Sequence, residues 1–573
     1  MLRFILLLAL TLPVSAQETM IREVFDPVTD THVEVLALFS KPSPGGFFPV
    51  RVKVANNLKI DNRIRLGFEN RPDYSDNLQA SSSFTLDTPA GKTVTRDIMV
   101  PLSPPGGNGG SNVAVTLTGS LGMANNTIRS SIDDKQPSVL LSEALFTPNA
   151  SLLDSEISSK FSGSGRGSTE FAAKFDPKQL PDDWLAFSGY DSVILTDGDW
   201  TNIPPGGRNA ILSWVRMGGQ LVIYSTTAAT TAALDLPAEA GFGSITIQRI
   251  TSDLKLDAPK VVALVTKTAN KPMQVSNAGD FQGGWPLQQL FGEQTFRYAL
   301  FVIVLIIFAI LVGPVNLFVF AKSGERHKLF ITTPIISLAA SLVLICLIIV
   351  QDGFGGNGMR RILMEVRPDA GVNAAYIHQE QFCRTGVLTG SNFTLSPPAL
   401  LQPVAITASR WARFTPGNGS KGNFHLQPSD GKLKASGDWF QSRSEHGHVL
   451  ATVISTRGRI EKTDTPGSFL STFEFPIDTL YYQDETKQWF RADGITAGKK
   501  FTPIPVDFSM ALSALTQEAE AFAERNKRML KNVIQRPGHF IAITNQSPGI
   551  ETNPSIKWKQ THTVITGPVV GKF

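Results

Sequence analysis

The chain has 573 residues, room for roughly three or four domains that each bury a core. Its 53 Lys and Arg against 49 Asp and Glu leave a net charge of +4, too small at this length for a dedicated nucleic-acid-binding protein, and no basic cluster reverses that. Two cysteines, Cys346 and Cys383, exclude a disulfide framework and a four-cysteine zinc site.

The chain opens Met1-Leu2-Arg3, followed by an apolar run over 4–12, Pro13 and Val14-Ser15-Ala16. A positive start, a short apolar core and small residues at a cleavage point predict a secretory signal peptide over 1–16, which places the residues after it outside the cytoplasm. Residues 17–133 read as all-β. Val50, Val52 and Val54 alternate with Arg51 and Lys53, and Ile64, Leu66 and Phe68 repeat the pattern, the period of half-buried strands. Further strands are expected at 33–39, 82–86, 94–100 and 113–117, with Pro, Gly and Asn between them. Short strands with frequent turn signals predict an immunoglobulin-like β-sandwich, a spacer or interaction module without a chemical cluster.

Over 134–270 strands alternate with helices. Strands are expected at 139–142, 171–175, 190–196 and 220–224. A helix over 208–217 presents Ile211, Trp214 and Val215 on one face and ends at Gly218-Gly219. Strand, helix, strand predicts a parallel, flavodoxin-like sheet in which 193–196 and 221–224 are neighbours joined by a right-handed crossover.

Leu180-Pro181-Asp182-Asp183-Trp184, Gly189-Tyr190-Asp191-Ser192-Val193-Ile194-Leu195 and the stretch from Leu212 through Trp214 and Gly218-Gly219 to Tyr224 resemble class I glutamine amidotransferase-like domains. The domain order, with Gly313-Pro314-Val315-Asn316 before a basic turn and Pro334 after it, resembles bacterial membrane-anchored extracytoplasmic proteins carrying a degenerate copy of that domain. The resemblance covers about 137–350. It implies the fold, and a cysteine nucleophile on the turn after a strand such as 220–224. Here that position holds Ser225, followed by Thr226 and Thr227, and no histidine occurs between His32 and His327. A serine hydroxyl needs a neighbouring base to become nucleophilic, so the residues argue against amidotransferase chemistry.

Asp197 and Asp199 follow a strand at the carboxyl edge where open α/β sheets bind ligands. Two carboxylates there suit a divalent cation or acid–base work, but Asp-Gly-Asp is also turn and capping chemistry, and capping is the expectation. The glycine-rich 162–168 lacks the Gly-Lys-Ser/Thr ending of a phosphate-binding loop and reads as a surface loop.

Residues 271–298 read as a linker, with Trp285, Phe291, Phe296 and Tyr298 suited to an interfacial aromatic belt. Two uncharged apolar runs come next, 299–321 and 329–350, each of about 22 residues and so about 33 Å long as a helix, enough to cross a bilayer. The turn between them, 322–328, carries Lys322, Arg326 and Lys328, which favours the cytoplasmic side. Pro314 is expected to kink the first helix, with Asn316 satisfying freed backbone groups against the partner helix.

Residues 351–573 read as extracytoplasmic and β-rich, with strands expected at 362–366, 404–408, 448–455, 472–475 and 539–544. One long helix is expected over 508–534. His446 and His448, beside Glu445, point to one face of a strand and are weak metal-ligand candidates that need a further ligand. Cys383 reads as a buried core residue.

These expectations describe a multidomain protein of the bacterial cytoplasmic membrane: β-sandwich, amidotransferase-like α/β domain, helical hairpin and β-rich C-terminal domain. The function read from them is a non-catalytic binding or scaffold component of an envelope complex, without a cofactor. The rivals are an envelope hydrolase using Ser225, Asp197 and Asp199, and an accessory subunit of a transport system. The resemblance implies AAA-type ATPases and von Willebrand A-domain proteins as partners.

Overall fold

The computed structural model describes residues 18–72, 78–103, 111–130, 137–161, 170–267, 284–293, 298–321, 323–369, 372–407, 409–412, 414, 422–429 and 431–571. The signal-peptide reading over 1–16, the loop 162–168, Phe296, Lys322 and the linker stretch 271–283 lie outside these residues.

The N-terminal unit is two sheets face to face. One is antiparallel, with Glu18–Asp26, Thr31–Ala37, Phe47–Asn56 and Lys92–Pro101 side by side. The other holds Ala124–Ser130, Ser111–Gly119, Asn62–Pro72 and Leu78–Thr88. The period-two alternation decides what lies between them. Val50, Val52 and Val54 meet Ile64, Leu66, Phe68, Val113, Val115 and Leu117 in one core.

The second sheet does not end within residues 17–133. Leu78–Thr88 pairs on its far side with Gly422–Ser429, in parallel, with Ala80 opposite Phe424 and Ser82 opposite Leu426. Ser81 Oγ lies 3.0 Å from His425 Nδ1 across this seam. Lys432–Gly437 and Phe393–Leu395 then extend the sheet to seven strands. The portions before and after the two apolar helices are thus knitted together.

The α/β unit has five parallel strands: Val139–Ser142, Ala173–Phe175, Ser192–Thr196, Gln220–Ser225 and Ser244–Arg249. Numbered along the chain their spatial order is 2-1-3-4-5, that of flavodoxin-like sheets. Val193 pairs with Leu221 and Thr196 with Tyr224, as expected. Alternation again assigns the faces. Val193, Leu195, Leu221 and Ile223 pack with Ile211, Trp214 and Val215 of helix Pro205–Arg216. Ile194, Val222 and Tyr224 pack with Leu153 and Ile157 of helix Glu143–Phe161 and with Val261, Val262 and Val265 of helix Ala258–Lys267. Gly218, at φ +115°, ends the crossover helix in a conformation that side chains resist.

These units share one interior. The core under Trp214 also takes in Leu38, Phe39 and Phe47 from the sandwich and Ala374, Tyr376, Leu400 and Ala451 from the C-terminal unit. The sandwich meets the α/β unit backbone to backbone. The Ser43 N–H donates to the Gly189 carbonyl at 2.9 Å, and a Cβ on Gly46 would sit 2.4 Å from the Gly189 Cα.

The C-terminal unit is a large mixed sheet. Its centre is Gly356–Asp369, antiparallel to Val372–Thr385 and parallel to Ile556–Val570. Strands form at Glu445–Ser455 and His539–Thr544 as expected; the strand expected over 404–408 lies earlier, at Leu400–Val404, and in place of the one expected over 472–475, Phe469–Ser471 and Ile477–Gln483 flank an irregular link. The single expected helix is two, Phe508–Glu520 and Glu524–Val533. The break comes from outside the segment. Phe522 is buried, and the Ala523 N–H donates to both oxygens of Glu380 at 3.1 Å, where a continuous helix would need it for an intrahelical bond.

Tyr298–Phe320 and Leu329–Asp352 are long and apolar enough to cross a membrane and stand exposed to the surroundings. Pro314 is absorbed by a π-helical stretch, Leu311–Phe320. Asn316 is fully buried against the partner helix, as expected, but it bonds side chains there and not freed backbone groups. Its Nδ2 donates to Thr333 Oγ1 at 2.9 Å, and its Oδ1 accepts from Thr332 Oγ1 at 2.6 Å. Two of the expected belt aromatics are also placed elsewhere. Trp285 is buried and stacks edge-on against Phe382, and Phe291 of helix Pro286–Phe291 meets the same ring at 5.3 Å. Tyr298 stays exposed.

The parallel seam predicts a covalent test. In the full chain carrying Cys346→Ser, the pair Ser81→Cys and His425→Cys should form a disulfide on mild oxidation. Faster migration on a non-reducing gel reports the closed loop, and neither single variant should show it.

Candidate functional site

The carboxyl edge of the parallel sheet is where the fold places ligands, and all three expected residues of the α/β unit lie there. Thr196 ends its strand and caps helix Asp197–Asn202. Its Oγ1 accepts from the Asp199 N–H at 3.0 Å, and Asp199 Oδ2 accepts from the Thr196 N–H at 3.2 Å. Asp199 is thus engaged in a reciprocal capping box. Asp197 Oδ1 accepts from the Gly198 N–H at 2.8 Å, while its Oδ2 accepts from Ser225 Oγ at 2.5 Å.

The structure therefore joins Ser225 to Asp197. Ser225 is fully buried, and its Oγ also accepts from the Thr227 N–H at 3.1 Å. It is not among the residues at positive φ, so the strained turn that presents a nucleophile is not formed. The hydroxyl donates to a carboxylate with no imidazole between them.

Histidines from the C-terminal unit do reach this domain, at its other end. His378 packs its ring against Phe242 at 5.7 Å and bonds the Met217 backbone. Burial, reinforced by Arg525, pushes its imidazole well below the ordinary range. Met217 precedes strand Gln220–Ser225, whose six residues put Ser225 about 17 Å away.

The same amino-end junction carries an ion network that the sequence does not announce. Arg367 Nη2 lies 2.6 Å from the buried Glu365, and Arg367 Nη1 lies 2.7 Å from Glu239 of the α/β unit. His539 Nε2 is 2.8 Å from Glu239, and Arg536 Nη2 donates to the Gly241 carbonyl at 2.5 Å. Burial pushes the Glu239 carboxyl up, but His539 and Arg367 outweigh it and hold it at about 2. The one local sign is Glu365 and Arg367 spaced to share a strand face.

A second residue that sequence reasoning missed is Glu380, buried on strand Val372–Thr385. It accepts from Trp285 Nε1 at 2.8 Å, from Asn526 Nδ2 at 2.6 Å and from the Ala523 N–H. Burial pushes its carboxyl up, and these donors pull against that shift. One side chain thereby ties the segment entering the hairpin to the sheet and to helix Glu524–Val533.

His446 and His448 share a strand face as expected, with rings 6.1 Å apart and nearly parallel. Both rings are engaged by protein groups. His448 is buried, with Nε2 2.8 Å from the Trp439 carbonyl and Nδ1 3.3 Å from Gln381 Nε2. Burial, then His446, sets its imidazole down to about 3. His446 Nε2 accepts from the Gln441 N–H at 2.9 Å, and Glu445 is bound by Arg384 and Ser409. Among the described residues no group of three or more His, Cys, Asp or Glu side chains is placed to hold a metal ion. Cys383 is buried, and burial pushes its thiol up, away from reactivity.

No family model and no curated protein matches the chain. Solved structures that share parts of it include a family 123 glycoside hydrolase from Clostridium perfringens, 11% identical over 27% of this chain and 32% of that one, TM-score 0.13. Another is a cycloisomaltooligosaccharide glucanotransferase from Paenibacillus sp., 15% identical over 33% of this chain and 27% of that one, TM-score 0.16. A third is the yeast δ-COP-I μ-homology domain, 9% identical over 38% of this chain and 98% of that one, TM-score 0.15. The chain thus spans about a third or less of the two enzymes, and likeness at these scores carries no argument.

The two carboxylates Glu239 and Glu380 can each be tested. Glu239 is held below its ordinary 4.5, so its contribution is present above that value and is lost as pH falls through about 2. The difference in melting temperature between wild type and Glu239→Gln should shrink steadily between about pH 4.5 and about 2. Glu380→Ala strands three buried donors and should cost about 3 kcal/mol or more by denaturant titration in detergent.

Proposed function

We propose that this chain is a two-span protein of the bacterial cytoplasmic membrane, whose soluble body stands outside the cytoplasm and acts by binding. In this reading the α/β unit is an amidotransferase-like pseudoenzyme, and the protein is a scaffold component of an envelope complex. The observation that carries it is the state of Ser225. The residue at the family's nucleophile position is buried, hydrogen-bonded to Asp197, and about 17 Å from the end of the sheet that the C-terminal histidines touch. Nucleophilic catalysis needs an accessible hydroxyl, and this one is enclosed, its proton engaged by Asp197 and no imidazole beside it.

Three observations support the membrane reading. The two helices are exposed, apolar and long enough to span. The turn between them carries Arg326 and Lys328, as cytoplasmic turns do. The chain segments before and after the hairpin share a sheet, which requires them to lie on the same side. The carboxyl edge, with Gly198, Thr226 and Thr227 exposed, faces away from both neighbouring units and is a surface open to a partner. AAA-type ATPases and von Willebrand A-domain proteins are the partners that the resemblance suggests.

Ser225→Ala should support wild-type function in cells lacking the native protein, with unchanged expression. Loss of function from a folded, inserted variant would refute the scaffold reading. For topology, in a Cys346→Ser background, Val28→Cys should react with a membrane-impermeant maleimide in spheroplasts. Ser323→Cys should react only after permeabilisation, and labelling of both without it would refute the two-span arrangement.

A further inference from the structure

The hairpin leaves and rejoins the soluble body at one place, with almost no slack. Asp352, the last residue of the second long helix, accepts from Arg443 Nε at 2.6 Å. The next residues are bonded into the body at once. The Val387 N–H donates to the Gly353 carbonyl at 2.9 Å, and the Gly355 N–H donates to the Val387 carbonyl at 3.0 Å. On the inbound side, Arg384 Nη2 donates to the Gly292 carbonyl at 2.9 Å, and residues 294–297 alone separate Glu293 from Tyr298. Arg384 is the register partner of Asn357, so both junctions lie at one end of the C-terminal sheet.

This tether fixes depth. Helix Leu329–Asp352 has 24 residues and is about 36 Å long, against a hydrocarbon core of about 30 Å. Asp352 then stands at the level of the lipid headgroups, and groups bonded to it or adjoining it stand there too. At this end two large apolar side chains remain exposed. Phe354, two residues past the helix, is 68% exposed, and Leu290, on the helix that leads in, is 51% exposed. Arg410, also exposed, is two residues from Ala412, which bridges to Glu445, the partner of Arg384.

We infer that this end of the C-terminal unit is a lipid-binding face, with Phe354 and Leu290 set into the headgroup layer of the bilayer that the hairpin crosses and Arg410 beside its phosphates. The inference rests on the reading that the hairpin spans. A lipid surface is the occupant because the 2.6 Å bond from Arg443 to Asp352 leaves no gap in which a protein could sit between body and membrane. Apolar side chains flanked by guanidinium suit the acyl–headgroup boundary, where each finds its own phase.

The test uses the full chain with Cys346→Ser, reconstituted in phosphatidylcholine–phosphatidylglycerol vesicles. Separate variants Phe354→Cys, Leu290→Cys, Leu342→Cys and Val28→Cys carry an environment-sensitive fluorophore. Emission from positions 354 and 290 should be blue-shifted and quenched several-fold more by headgroup-level nitroxide lipid than emission from position 28, which aqueous iodide should quench instead. Position 342 should respond to deep nitroxide. If 342 is quenched by deep nitroxide while 354 and 290 behave like 28, the lipid-binding face is refuted and the spanning hairpin survives. If 342 is not quenched by lipid nitroxide, the hairpin reading fails and takes the inference with it.

Discussion

The structure depends on one parallel strand pair. Leu78–Thr88 lies beside Gly422–Ser429, although both long apolar helices fall between them in the chain. Backbone hydrogen bonds act over about 3 Å, so the paired segments must occupy the same compartment whatever the intervening chain does. Any membrane crossings between them must be even in number, and the hairpin is an excursion from a single folded body. The shared interior around Trp214, which takes side chains from all three soluble units, makes the same demand on packing.

Within that body the buried and half-buried polar groups lie where chain segments meet. Glu380 collects donors from the inbound segment and from the break between two helices, and Glu239 with Glu365 collects Arg367, Arg536 and His539 at the junction with the parallel sheet. Charges removed from water at such cost are weak sources of stability but fix a geometry, since other arrangements would leave them unpaired. The carboxyl edge of the parallel sheet differs from these junctions. Its side chains satisfy one another locally, Asp199 with Thr196 and Asp197 with Ser225, and its outer surface remains open.

What the sequence shows clearly is what repeats at short range. Val50, Val52 and Val54 face the sandwich core, Ile211, Trp214 and Val215 face the parallel sheet, and the neighbouring pair 193–196 and 221–224 follows from the helix between them. The capping role of Asp199 is legible in Asp-Gly-Asp. What fails to show depends on partners distant in the chain. The helix over 508–534 breaks because Glu380 takes a backbone N–H at Ala523, and no local propensity announces that. Trp285 and Phe291 have the composition of a membrane-interface belt, yet Phe382 offers them a protein interior instead. His446 and His448 do share the expected strand face, but Trp439, Gln381 and Gln441 engage them. The seven-strand sheet is invisible for the same reason, because pairing between strands more than three hundred residues apart leaves no periodicity.

That distant pairing also sets a schedule. Ribosomes add about 5–20 residues per second, so tens of seconds separate the appearance of Leu78–Thr88 from that of Gly422–Ser429. Throughout that interval the sandwich presents a bare strand edge while the hairpin and the strands after it are still being made. Such an edge invites pairing with any passing extended chain. The protein therefore cannot mature domain by domain from its N-terminus. Its first module waits, unfinished, for strands made after the two apolar helices, with that edge unpaired until the last third of the polypeptide arrives.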